Sequence, residues 1–419
     1  MEAKLRPTPD DSNGLELHRA AKRGELDSVK QLIEDKELNP LQVDKKGNNA
    51  LHYTAGGGHL PMMKYLIEDQ GLNPACQGEK SWTSLHYAAF GKHLELVKYL
   101  VGEQQVDPLC QDEDGCTPLH YACEGGDIDI VQYLISEMKK HTSLDSIVHD
   151  RTKAGVTAID FAALYGHLSV IKFFIADLNF HPNRPGFKGR PPLIHAAQGG
   201  HLEVVRYLTE ELQCDPSYAS GEDSATPLHL AAAYGRLNII RYLTLTRRCS
   251  PLPRESHGNT PLHDAASLGQ YEAVKFFISK LKCDPSALGQ WGRTPLHNAS
   301  QEGHLNIVQY LIDERKCNPA SLDNRKTTPL HLATIYGHLH LHIIRYLVED
   351  KRCNLLCYDK ILGTPLHWAA YFGQLAVIKY FVEVCNCPLN IRNSCNQIPL
   401  QLAHKEGHTN IVEYLSSFL

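Results

Sequence analysis

Thr294-Pro295-Leu296-His297-Asn298-Ala299-Ser300-Gln301-Glu302-Gly303-His304-Leu305-Asn306-Ile307-Val308-Gln309-Tyr310-Leu311 is the stretch that decides the fold. Thr294 reads as a helix N-cap, because its hydroxyl can accept a hydrogen bond from a free N–H of the first turn. Pro295 suits the first helical position, where no N–H is needed. A short helix from Leu296 to Glu302 is predicted to close at Gly303, which is free to take the left-handed conformation. Leu305, Val308, Leu311 and Ile312 fall at i, i+3, i+6 and i+7, the apolar stripe of a second helix. Cys317-Asn318-Pro319 ends that helix, and a turn-rich stretch to Lys326 leads to the next cap at Thr328.

The same unit recurs. Thr-Pro-Leu-His stands at 117–120, 226–229, 260–263, 294–297, 328–331 and 364–367. Looser copies keep the histidine at His18, His52 and His86, and three replace it with Asp160, Ile194 and Gln401. Most of the twelve anchors are 34 residues apart; the intervals ending at Asp160 and His367 are 40 and 36. Seven-residue helices do not stand alone in water, and a helix pair buries its apolar faces only against neighbouring copies. The 419 residues are therefore expected to form an all-α repeat solenoid of about twelve units over 14–419, behind a short polar tail at 1–13. Ala88-Ala89, Ala231-Ala232, Ala265-Ala266 and Ala369-Ala370 keep the helix contacts small.

The chain resembles the ankyrin repeat family. The likeness rests on Thr-Pro-Leu-His-x-Ala-Ala, on Gly200-His201-Leu202-Glu203-Val204-Val205-Arg206-Tyr207-Leu208, and on the period near 34. It covers nearly the whole chain. It implies stacked helix pairs with β-hairpin-like fingers and, at roughly 10 Å per layer, an arc on the order of 110 Å. It also gives the anchor histidine a structural hydrogen-bonding role between a finger and the next unit.

An irregular join is expected near 136–194. Six extra residues fall within Ser136 to Gly155, and the next two units are degenerate. The Pro/Gly-rich stretch His181 to Arg190 reads either as a relaxed join or as an enlarged finger that meets a partner. Polar residues at both ends read as caps of a complete array.

Composition is ordinary for folded protein: 42% hydrophobic, 21% charged, net charge −5. That charge argues against a dedicated nucleic-acid binder. No apolar run reaches the ~20 residues of a membrane helix, and Met1 to Pro7 lacks a signal-peptide core. Residues 1–150 carry 15 basic and 25 acidic side chains against 27 and 22 in the rest.

The 24 histidines and 13 cysteines invite a metal or catalytic reading. Nine of the histidines are anchors. Seven more (His59, His93, His167, His201, His304, His338 and His408) sit seven residues further on, by the inter-helix glycine. Copies a repeat apart lie far beyond the ~2 Å ligand distances of a shared metal. His338, His340 and His342 could chelate only if extended, and read instead as a duplicated dipeptide in a turn. Cys214, Cys249, Cys283, Cys317, Cys353 and Cys387 occupy one repeat position that Leu38, Leu72, Val106 and Phe180 fill elsewhere. Unpaired thiols suit a reducing compartment, and a cytoplasmic or nuclear setting is expected. No phosphate loop, nucleophile turn or kinase signature is present. No cofactor, metal or catalytic residue is expected.

The resemblance places partners at finger tips and at first-helix positions just before the glycine. Aromatics that stacking does not require are candidate hot spots. They are Tyr234, Trp291, Tyr336, Trp368, Tyr371 and Phe372, with Trp82 and Phe90 in addition. The expectation is a monomeric, non-enzymatic scaffold for another protein. The alternative is the substrate-recognition subunit of an enzyme complex.

Overall fold

The computed structural model describes residues 12–184, 186 and 189–418. Among them are twenty-five α-helices, no strand, and one isolated bridge, Arg151 with Thr157. Their packing separates into two units, with the boundary between Cys214 and Asp215. Each contains six helix pairs. The tail expected at 1–13 lies outside the described residues except for Ser12 and Asn13, which open the first helix, Ser12–Arg23.

The second unit shows the regular case. Helix Pro295–Glu302 begins at Thr294, whose extended backbone (φ −94°, ψ 166°) precedes Pro295 at N1. It closes at Gly303, left-handed at φ +89°. A Cβ there would also lie 2.4 Å from Nε2 of His340, so glycine is required twice over. The return helix Leu305–Gln309 runs into a π-helical turn, Tyr310–Glu314. Ile307, Val308 and Leu311 are fully buried; each such side chain contributes about 2 kcal/mol of transfer free energy. Ala265, Ala266, Ala369 and Ala370 are equally buried, and larger residues there would overpack. The π turns were not legible in sequence, because apolar spacing does not distinguish i+4 from i+5 bonding.

Fingers are tight turns rather than strand pairs. Asp323 N–H donates to Thr327 O at 3.1 Å, and Lys326 N–H to Asp323 O at 3.0 Å. Neighbouring fingers share single backbone bonds, such as Asn324 N–H to Trp291 O and Lys360 N–H to Arg325 O, both 2.9 Å.

The first unit contains the join. The six extra residues lengthen the return helix, Ile128–Met138, and add a short helix, Leu144–Val148, whose Ile147 and Val148 are buried. The fingers that follow keep ordinary size. Thr152 N–H reaches Val156 O at 3.0 Å, and Gly186 N–H reaches Arg190 O at 2.8 Å. The enlargement therefore precedes the finger and does not swell its tip. Pro185, Phe187 and Lys188 of this stretch lie outside the described residues.

Candidate functional site

Most anchor histidines are joints between repeats; His120 is the exception, its Nε2 buried without a hydrogen-bond partner among the described residues. In His297, Nδ1 accepts from Thr294 N–H (3.2 Å) and faces Thr294 Oγ1 (2.9 Å). The ring proton is then on Nε2, which donates to Ser321 O and Thr327 O of the next finger, both at 3.1 Å. His86 and His367 repeat this pattern towards Cys116 O and Gln397 O. Burial holds His297 and His263 down to about 4, so the rings stay neutral.

The second histidine position proves to be another joint. Nε2–H of His304 donates to Ser267 O at 3.0 Å, and that of His201 to Leu164 O at 2.9 Å. In the repeat with the two-residue insertion this place over Gly303 belongs to His340, not His338. Residues 338–342 lie within the helix Gly337–Arg345, broken at His340, rather than in a turn. The side chain of His338 lies outside the described residues.

A third ladder was not anticipated. Tyr65, Tyr99, Tyr346, Tyr380 and Tyr414 each donate a hydroxyl to a carboxylate of the preceding repeat: Glu34, Glu68, Asp313, Glu349 and Glu383, at 2.8–2.9 Å. Lys64 and Arg345 sit over the rings of Tyr99 and Tyr380. A Tyr with an acidic residue about 31 positions upstream was its sequence signal.

Among the described residues no group of three or more His, Cys, Asp or Glu could hold a metal ion. The thirteen cysteines are free, and burial raises the thiols of the ladder residues Cys214, Cys283, Cys317, Cys353 and Cys387. Among the described residues no helix is long and apolar enough to cross a membrane.

Of the aromatics singled out, Tyr234, Trp291, Tyr336, Phe372 and Phe90 are exposed. Trp291 stands out at a finger tip, 47% exposed, with the guanidinium groups of Arg293 and Arg325 at 4.8 and 5.6 Å from its ring. Its backbone is left-handed at φ +57°, an uncommon conformation for so bulky a residue. Tyr371 is half-buried against Phe372, ring centroids 5.1 Å apart. Trp82 is half-buried among Tyr87, Phe90 and Tyr121, 4.2 Å from the last.

Trp368 must be corrected. It is only 4% exposed, and its indole N–H donates to Asp359 Oδ2 at 3.0 Å. Tyr53 and Tyr121 do the same with Asp44 and Asp112. The residue after the anchor ties the first helix to its own finger, and an Asp nine residues upstream was the signal. Trp368 cannot offer its ring to a partner.

The second unit thus presents Tyr234, Leu268, Tyr336 and Phe372 at one repeat position, the residue before the inter-helix glycine. Leu268 is the aliphatic member of a row that aromatic content alone does not reveal. In the first unit Phe90 and Tyr165 flank a shallow groove with Lys92, Glu124 and His167.

The family described as "Ankyrin repeats (3 copies)" matches residues 17–112, 92–185, 159–252, 218–288, 262–359 and 340–418. No curated protein matches the chain. With matches running from residue 17 to 418 over helix pairs of this construction, the chain belongs to the ankyrin repeat family.

Proposed function

We propose that the chain is a non-enzymatic scaffold that holds a protein partner against the exposed row Tyr234, Leu268, Tyr336 and Phe372, with Trp291 at the finger side. Ankyrin repeats are in general protein-interaction modules. The observation that carries the reading is the row itself. Four of five successive first helices present a large apolar side chain to solvent at a position that stacking does not use. Single exposed apolar residues are ordinary; a row of them rimmed by polar groups is the mark of an interface. Tyrosine and tryptophan bring large contact area at small entropic expense. The free thiols suit a reducing, cytoplasmic or nuclear compartment, and the scaffold is proposed to work as a monomer.

The test is affinity purification from native cells followed by mass spectrometry, with the parent chain and a Tyr234→Ala/Tyr336→Ala/Phe372→Ala variant. A partner captured by the parent should be lost from the variant, since each truncated hot spot weakens binding by about 1–2 kcal/mol. Equal capture by both would move the interface elsewhere.

A further inference from the structure

The fingers of the second unit carry a second regularity. Before five of its finger turns the side chains alternate between exposed and half-buried. Leu252, Pro253 and Arg254 show the alternation, as do Ser286, Ala287 and Leu288. So do Ala320-Ser321-Leu322, Leu356-Cys357-Tyr358 and Asn390-Ile391-Arg392. That is the period of a strand with one wet face. The last exposed residue of each segment forms a row across five consecutive fingers: Arg254, Leu288, Leu322, Tyr358 and Arg392. Its middle is apolar and both ends are arginine. The three central side chains are 47–57% exposed. Among the described residues the first unit has Val43, Gln77, Gln111 and Arg151 at the same position, with one apolar residue among them.

Charge around the row is one-sided in a way that composition hides. The finger carboxylates Asp323 and Asp359 are buried. Each accepts from backbone N–H groups of its own turn, as Asp323 does from Thr327 N–H and Asp359 from Leu362 N–H. The cations Arg254, Arg325, Lys326, Lys360 and Arg392 remain exposed. None of the five forms an ion pair among the described residues. Arg254 and Arg392 bond only to backbone carbonyls, leaving guanidinium N–H groups over.

We infer that this row receives an extended segment of the partner, apolar in its middle and acidic at both ends. The inference rests on the interaction reading above and gives that partner its chemistry. At roughly 10 Å per repeat, four intervals span about 40 Å, which about twelve residues of extended chain cover at ~3.3 Å each. The central leucines and tyrosine would take the apolar side chains. Carboxylates at the two ends would meet guanidinium groups, to which they can bind bidentately.

Fluorescence polarisation of the full chain tests this with two labelled twelve-residue peptides. Both alternate leucine and serine in the middle; one ends in paired glutamates and the other in paired lysines. The glutamate peptide should bind at least about tenfold more tightly, and more weakly as salt rises. Leu288→Ser/Leu322→Ser and Arg254→Ala/Arg392→Ala should each weaken it about tenfold or more, with circular dichroism unchanged because all four positions are exposed. Equal binding of the two peptides overturns the inference, as does indifference to both variants. Binding of oligothymidylate in place of the glutamate peptide overturns it too. If the glutamate peptide fails to bind while partner capture still depends on Tyr234, Tyr336 and Phe372, only the acidic-segment inference falls. If capture is indifferent to those three residues, the interaction reading falls as well.

Discussion

Helix Pro295–Glu302 in the second unit and helix Ala158–Tyr165 in the first share one backbone plan and opposite electrostatics. Both start at an extended Thr cap, Thr294 or Thr157, whose N–H is accepted by the side chain three residues on. In one that acceptor is neutral His297, whose other nitrogen reaches the next finger. In the other it is Asp160, fully buried, with Oδ2 on Thr157 N–H at 3.0 Å and Oδ1 facing Nε2 of His195 at 3.9 Å. Among the described residues neither Oδ1 nor that Nε2 has a hydrogen-bond partner. Burial raises the Asp160 carboxyl above the usual range and lowers His195. His297 therefore closes a joint between repeats, whereas Asp160 caps its own helix and leaves its Oδ1 and the His195 Nε2 unsatisfied among the described residues.

Acidification should separate the two most strongly. Three anchors, His120, His263 and His297, are held near 4 against 6.5 in an unfolded chain. Above pH 6.5 they are neutral in both states. As pH falls through 6.5 the unfolded chain takes up protons first, so stability is lost between about 6.5 and 4. At pH 5 each of the three lowers stability by about 2 kcal/mol. Asp160 has the opposite sign, since its raised folded value lets it regain stability as pH falls. Urea unfolding at pH 7 and pH 5 checks this, and His297→Gln should flatten the dependence while Asp160→Asn should steepen it.

Removing the joint comes next. His297→Ala strips a buried cap partner and leaves the Ser321 and Thr327 carbonyls without that donor, a loss of about 3 kcal/mol. Asp160→Ala should lose about 1 kcal/mol or less, because the lost cap is offset by relief of a buried carboxyl. Equal losses in equilibrium unfolding would break the comparison.

Asp160→Asn keeps an acceptor for Thr157 and removes the ionisable group. A gain of about 1 kcal/mol at pH 7 is expected, read as a higher melting temperature that disappears towards pH 4.

The smallest effect concerns the ends of the return helices. Lys316 and Asn179 occupy matching left-handed positions, φ +58° and +55°. Asparagine tolerates that conformation better than lysine. Lys316→Gly should stabilise by about 0.5–1 kcal/mol and Asn179→Gly by less, compared in parallel thermal melts.

The pattern Thr-Pro-Leu-His with its closing glycine was enough to place nearly every helix, because cap, first-turn proline and left-handed glycine act within a few residues of one another. It also accounted for the two histidine positions and the cysteine ladder. The site was less legible. Phe90, Tyr234, Trp291, Tyr336 and Phe372 are exposed, but Trp368 is buried, because the Asp359 that receives its N–H lies nine residues away across a turn. Leu288, Leu322 and Tyr358 carry no signal in sequence, because single exposed apolar residues mean little until neighbouring fingers line them up.

Fold class, repeat number and the anchor positions came from sequence alone, since local capping and a repeated apolar spacing need no distant partner to be recognised. Exposure and the direction of charge were decided by tertiary structure. Asp323 and Arg325 are two residues apart in one finger. Only the folded turn buries the carboxylate against its own N–H groups and leaves the guanidinium outside.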